Sequence, residues 1–311
     1  MKLEEIIAMS TDYREDNRIK AYVFGHGKKA AAIIGAMRGN EYQQLYICSQ
    51  LIRILTRLEE RGAIVSGKQI MVIPSLNAHS SNIGKKYWGK DNSDINRQFP
   101  GNPNGEATSR IAAQVLKVCS EYAYGIQFPS FYLEGEFIPH VRMMDTGRES
   151  SSLANQFGMP YVLIAQSRAF DPSTLNYNLQ LNGCNAFSVY TSTTRNIDDA
   201  LANQAVSAAL RFLTRMGIIR YHLHPGFIAT VLEEEDLVSV KSPASGLIHK
   251  VVQINQEVER GELLAEIINP YDGEVIKEVQ SPVDGIVFFA NTEPMVFENS
   301  AVFKLIKKLH A

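Results

Sequence analysis

Ala30-Ala31-Ala32-Ile33-Ile34-Gly35-Ala36-Met37-Arg38-Gly39-Asn40-Glu41 is the stretch on which the fold of this chain turns. Its first half is an unbroken apolar run, the pattern of a strand covered on both faces. Its second half holds two glycines and a carboxylate and opens a helical pattern. Leu45, Cys48, Ile52, Leu55 and Leu58 recur at helical spacing through residues 41–61, and Gly62 stops them. A buried strand that runs through a glycine turn into a helix is the repeating unit of α/β layer folds. At that turn Arg38 and Glu41 stand three residues apart, close enough to pair.

Working outward, strand-like runs at residues 31–36, 69–74, 125–128, 161–165 and 186–191 alternate with helical ones at 41–61, 106–122 and 197–216. Asn196 is the expected N-cap of the last helix, with Asp198 and Asp199 in its favourable first turn and Gly217 ending it. The pattern predicts an α/β domain over residues 1–224 with a central mixed, mostly parallel sheet flanked by helices. Residues 77–105 show little periodicity and much Asn, Gly and Lys. A loop that long inside a domain is expected to carry a site.

Beyond Tyr221-His222-Leu223-His224-Pro225-Gly226 the grammar changes to short alternating strands. Ser242-Pro243-Ala244-Ser245-Gly246-Leu247-Ile248 recurs as Ser281-Pro282-Val283-Asp284-Gly285-Ile286-Val287. This internal repeat resembles the biotinyl/lipoyl-type barrel-sandwich, which implies an all-β domain over residues 225–311. Such domains carry a modifiable Lys at a hairpin tip midway between the repeats. Here the tip reads Asn269-Pro270-Tyr271-Asp272-Gly273, a turn sequence with no Lys, so no covalently attached cofactor is expected.

Length and composition agree with this division. A chain of 311 residues suits two domains, and 45% hydrophobic residues suffice for a sizeable core. A net charge of −2 gives no electrostatic case for nucleic acid or an anionic membrane. Cys48, Cys119 and Cys184 lie far apart without CxxC spacing, which predicts buried thiols in a reducing compartment. No apolar leader-like segment opens the sequence and no run is long enough to span a bilayer, so the expected location is the cytoplasm.

The turn Gly35–Glu41, read with Asp94-Ile95-Asn96-Arg97-Gln98-Phe99-Pro100-Gly101 and Pro139-His140-Val141-Arg142, resembles the succinylglutamate desuccinylase/aspartoacylase family of zinc deacylases, relatives of the zinc carboxypeptidases. The resemblance implies a carboxypeptidase-like α/β domain whose active members remove acyl groups from N-acyl amino acids. It implies zinc held by the His and Glu of a G-x-x-H-G-N/D-E motif and by a second His after a later strand. A glutamate at the end of another strand would serve as proton shuttle.

Here Glu41 stands at the Glu position, Arg38 at the first His, Ser130 (or Pro129) at the second, and Tyr190 at the catalytic Glu. Glu41 is thus a vestigial ligand, and no catalytic residue is assigned. A guanidinium about 4 Å from a divalent ion is repelled by roughly 8 kcal/mol at an effective dielectric of about 20. Arg38 can instead satisfy Glu41 directly, and no cofactor is expected; the alternative is zinc.

Substrate-side positions match better. By resemblance, Asn96 and Arg97 would grip a carbonyl or carboxylate, with Lys86 and Arg38 adding positive charge; structurally, Asp94, Asn96 and Arg97 could equally staple the loop. The resulting expectation is a protein that binds a small carboxylate or N-acyl amino acid without hydrolysing it, or that partners an active paralogue or a second copy of itself. The competing expectation is a zinc amidohydrolase with a remodelled site drawing on Glu41, His79 or His140.

Overall fold

The computed structural model describes the chain except at residues 12, 13, 90, 132, 148, 149, 170, 192, 193 and 309–311, and leaves out the side chains of 9–17. Contacts divide it into two units: Met1–Ser130 with His140–Val231, and Phe131–Pro139 with Leu232–Ala311. The short segment Phe131–Pro139, which the sequence places inside the α/β domain, therefore groups with the β unit.

In chain order the first unit contains β1 (Lys2–Thr11), β2 (Arg14–Gly25), β3 (Lys28–Ala36), α1 (Tyr42–Glu60), β4 (Lys68–Ser75), α2 (Ala78–Asn82), α3 (Ala107–Cys119) and β5 (Tyr124–Gln127). After β6 (Gly135–Phe137), which belongs to the other unit, come β7 (His140–Met144), α4 (Ser151–Ala154), β8 (Tyr161–Ala165), α5 (Leu175–Leu181), β9 (Asn185–Tyr190), α6 (Asp199–Arg215) and β10 (Thr230–Glu233), whose last two residues fall in the second unit. The strands form one mixed sheet in the order β1-β2-β4-β3-β5-β9-β7-β8-β10. Its centre is parallel, β4 and β5 flanking β3 and β9 following β5; β7 then runs antiparallel to β9.

Alternation along β3 explains its continuous apolar run. Ala31 and Ile33 face one core with Ile47, Leu51 and Leu55 of α1 and Ala205, Ala209 and Leu213 of α6. Ala32 and Ile34 face the other, with Ile111 and Val115 of α3 and Leu175 and Leu179 of α5. Successive side chains of a strand point to opposite faces, so a strand between two helical layers is apolar at every position. The helix after the turn ends as read: Gly62 has φ +66°, and Ala63 N–H donates to Leu58 O at 2.8 Å.

One expectation is corrected. The N-cap of α6 is Asp198, whose carboxylate accepts Leu201 N–H at 2.9 Å, and not Asn196. The β1–β2 pair at the sheet edge carries no buried-strand signature in its sequence, and only its antiparallel pairing reveals it.

The second unit adds β11 (Leu237–Lys241), β12 (Gly246–Lys250), β13 (Glu257–Val258), β14 (Leu263–Ile268), β15 (Val275–Gln280), β16 (Gly285–Asn291), β17 (Met295–Val296) and β18 (Ala301–Lys307). They form two antiparallel sheets, β11-β18-β16-β13 and β15-β14-β12-β17, with β6 added beside β16. The internal repeat is structural. Ser242 Oγ donates to Ala244 O and Ser281 Oγ to Val283 O, both at 2.6 Å. A Cβ on Gly246 or Gly285 would meet a carbonyl oxygen at 2.7 or 2.5 Å, so both repeats need glycine at the same place. Among the described residues, no helix is long and apolar enough to cross a membrane.

Candidate functional site

Arg38 sits at the carboxyl end of β3, where Gly35 and Gly39 let the chain turn in close contact. A Cβ on Gly35 would lie 2.5 Å from Pro74 O and 2.7 Å from Cys48 Sγ; one on Gly39 would lie 2.3 Å from Lys85 O. The turn brings Glu41, only 1% exposed, beneath Arg38, itself 9% exposed. Glu41 Oε2 accepts the backbone N–H groups of Met37 (2.7 Å) and Arg38 (3.0 Å). Its Oε1 accepts Arg38 Nη1 (3.1 Å) and Ser130 Oγ (2.6 Å). Four hydrogen bonds occupy the four acceptor sites that a carboxylate offers.

Arg38 is similarly engaged. Its Nη1 also donates to Ser130 Oγ at 2.7 Å, and Nε and Nη2 fork onto Asp94 Oδ1 (3.1 Å) and Oδ2 (2.7 Å). Burial pulls the guanidinium's pKa down, but Glu41 and Asp94 outweigh it and hold the pKa above its ordinary value. Arg38 is therefore a fixed cation between two carboxylates. Asp94, read from the sequence only as a loop staple, is the second counter-charge; its Oδ1 also accepts Asn96 N–H at 3.1 Å.

The remaining candidates are distributed as follows. Asn96 Oδ1 accepts the Leu175 N–H at 3.2 Å, which fixes the loop to the start of α5, and Arg97 Nη1 donates to Asn96 O at 2.8 Å. Lys86 meets the turn through its carbonyl, which accepts Gly39 N–H at 3.0 Å, while its ammonium lies 5.5 Å from the centre of the Tyr87 ring. Tyr190, at the end of β9, stacks on the buried ring of His140 with centroids 5.1 Å apart. His79 lies exposed on α2. Among the described residues, no group of three or more His, Cys, Asp or Glu is arranged to hold a metal ion.

A mixed sheet between helical layers, followed by two small antiparallel sheets, is the aspartoacylase/carboxypeptidase-like fold. No family model matches the chain. The succinylglutamate desuccinylase/aspartoacylase of Rhodobacter sphaeroides aligns with a TM-score of 0.78 over 95% of this chain and 90% of that one, at 20% identity. The product-bound ectoine utilization protein EutE (DoeB) of Ruegeria pomeroyi aligns at 0.81 over 97% and 93%, at 18% identity. In sequence, the N-alpha-acetyl-L-2,4-diaminobutyric acid deacetylase of Halomonas elongata is 24% identical over 252 residues, spanning 76% of this chain and 70% of the relative. The resemblance to the succinylglutamate desuccinylase/aspartoacylase family, drawn from residues 35–41, 94–101 and 139–142, is borne out.

Proposed function

We propose that this chain is a non-catalytic member of the deacylase group that binds a small carboxylate or N-acyl amino acid, alone or as the partner of an active paralogue or a second copy. The observation that carries this reading is the Arg38 guanidinium held by Glu41, Ser130 and Asp94. The residues present do not fit zinc. A guanidinium has no lone pair to donate, a serine hydroxyl is not among the usual zinc ligands, and both Glu41 oxygens are already saturated. Where a proton-shuttling carboxylate is needed, Tyr190 offers a phenol stacked on His140.

On the substrate side, Asn96, Arg97 and Lys86 remain the proposed ligand contacts. Arg38 supports them through Asp94, which both accepts its fork and orders the backbone at Asn96. The expected location is the cytoplasm. The competing reading, an active zinc amidohydrolase, draws on the name of the Halomonas relative, a deacetylase. Incubation with N-acetyl-L-2,4-diaminobutyrate and added zinc separates the two. The non-catalytic reading predicts no acetate release above a no-enzyme control; metal-dependent turnover that Glu41→Gln abolishes would establish the other.

A further inference from the structure

Arg142 on β7 is 7% exposed, and its Nε is buried without a hydrogen-bond partner; among the described residues no carboxylate pairs with its guanidinium. Register fixes what it faces. Arg142 stands opposite Ser188 of β9, and Ser188 stands beside Gln127 of β5. Directly paired residues project from one face, here the face that α5 covers. Two side chains anchor α5 there. Gln180 spans Met144 of β7, donating to its carbonyl at 2.9 Å and accepting its N–H at 3.2 Å. Asn176 donates to Ser188 Oγ at 2.6 Å, while its own Oδ1 is buried with no partner. Leu175, the preceding residue, is the one whose N–H reaches Asn96. Arg142 and Asn176 thus flank Ser188 next to the Asn96–Arg97 turn.

A buried cation without a counter-charge is strongly unfavourable, and so is a buried amide oxygen with no donor. The two deficits are complementary: one wants an anion, the other a hydrogen-bond donor. A packing role would be met better by an apolar side chain such as Val141 or Met144 on the same strand.

We propose that Arg142 is an anion-binding and specificity-determining residue beside Ser188 and the Asn96–Arg97 loop. Its guanidinium takes the carboxylate of a small ligand, and Asn176 Oδ1 accepts from an N–H or O–H borne beside that carboxylate. The ligand class is therefore an amino- or hydroxy-substituted acid in preference to a plain carboxylic acid. This assignment rests on the carboxylate-binding reading above and adds to it the residue and the discrimination.

Calorimetric titration of the full chain with propionate, L-lactate and L-alanine, which share a skeleton and differ at one substituent, tests it. Wild type should prefer lactate or alanine to propionate by about tenfold, and Arg142→Met should weaken binding of all three by about ten- to hundredfold. Arg142→Lys should restore part of the affinity, and Asn176→Leu should erase only the preference. Ligand-free Arg142→Met should melt no lower than wild type, because it loses an uncompensated charge. Unchanged binding in Arg142→Met overturns the assignment and leaves carboxylate binding through Arg97 standing. A melting point several degrees lower, with binding intact, makes Arg142 structural. Failure of wild type to bind any of the three removes both this assignment and the carboxylate-binding reading beneath it.

Discussion

Arg38 Nη1 lies 3.1 Å from Glu41 Oε1, with the same carboxylate oxygen accepting Ser130 Oγ at 2.6 Å. The pair is buried, so its energetics differ from those of a surface ion pair. The gross attraction at that distance is about 5 kcal/mol at an effective dielectric of about 20, and desolvation of both groups offsets much of it. What remains large is the penalty for breaking the pair.

That asymmetry gives the first prediction. Glu41→Gln leaves Asp94 as the counter-charge of the Arg38 guanidinium and should destabilise the chain by about 3 kcal/mol in urea unfolding. Arg38→Met combined with Glu41→Leu should cost less than the sum of the two single changes, because neither charge is then stranded. Additive losses would mean that the two side chains are not energetically coupled.

Supplying imidazole donors beside Glu41 should create a metal site. Arg38→His with Ser130→His removes the cation and puts imidazoles at both positions flanking Glu41. The double variant is expected to gain zinc that survives gel filtration, whereas wild type does not. Zinc retained equally by both proteins would show that these positions do not control metal binding.

Gly39 of the turn and Gly62 after α1 are expected to differ in kind. Gly39→Ala drives a Cβ to 2.3 Å from Lys85 O and should cost about 1–3 kcal/mol or more, since backbone must move. Gly62→Ala meets nothing within 4 Å, but φ is +66°, so its cost should be about 1–2 kcal/mol and purely conformational. Chemical unfolding of both variants checks the order.

All three cysteines are free and buried. Burial raises the thiol pKa of each, to about 12 for Cys184 and beyond the usual titration range for Cys48 and Cys119. None should react with a disulfide reagent within minutes at neutral pH in the native state, and all should react in guanidinium. A fast native thiol would show that one of the helices or the strand turn at Cys184 opens readily.

The strand β3 and helix α1 are legible in the sequence because burial on two faces and on one face leave different local periodicities. The β repeat is legible because Ser242 and Ser281 make their hydrogen bonds within two residues. Long-range partners leave no such trace. Asp94 neutralises a residue 56 positions away, and β6 is a strand only because Phe137 pairs with Phe289 in β16. The start of α6 was ambiguous because Asn196 and Asp198 are both good caps, and only the reach of Asp198 to Leu201 N–H decides. Arg142 is legible as a motif residue, but that no carboxylate among the described residues pairs with it is a property of the packed sheet.

The most direct test is the zinc content of the protein purified without chelator, measured by elemental mass spectrometry against protein concentration. A guanidinium seated between Glu41, Ser130 and Asp94 predicts essentially no bound zinc, before or after dialysis against a zinc buffer. One tightly held equivalent per chain, lost on Glu41→Gln, would contradict it.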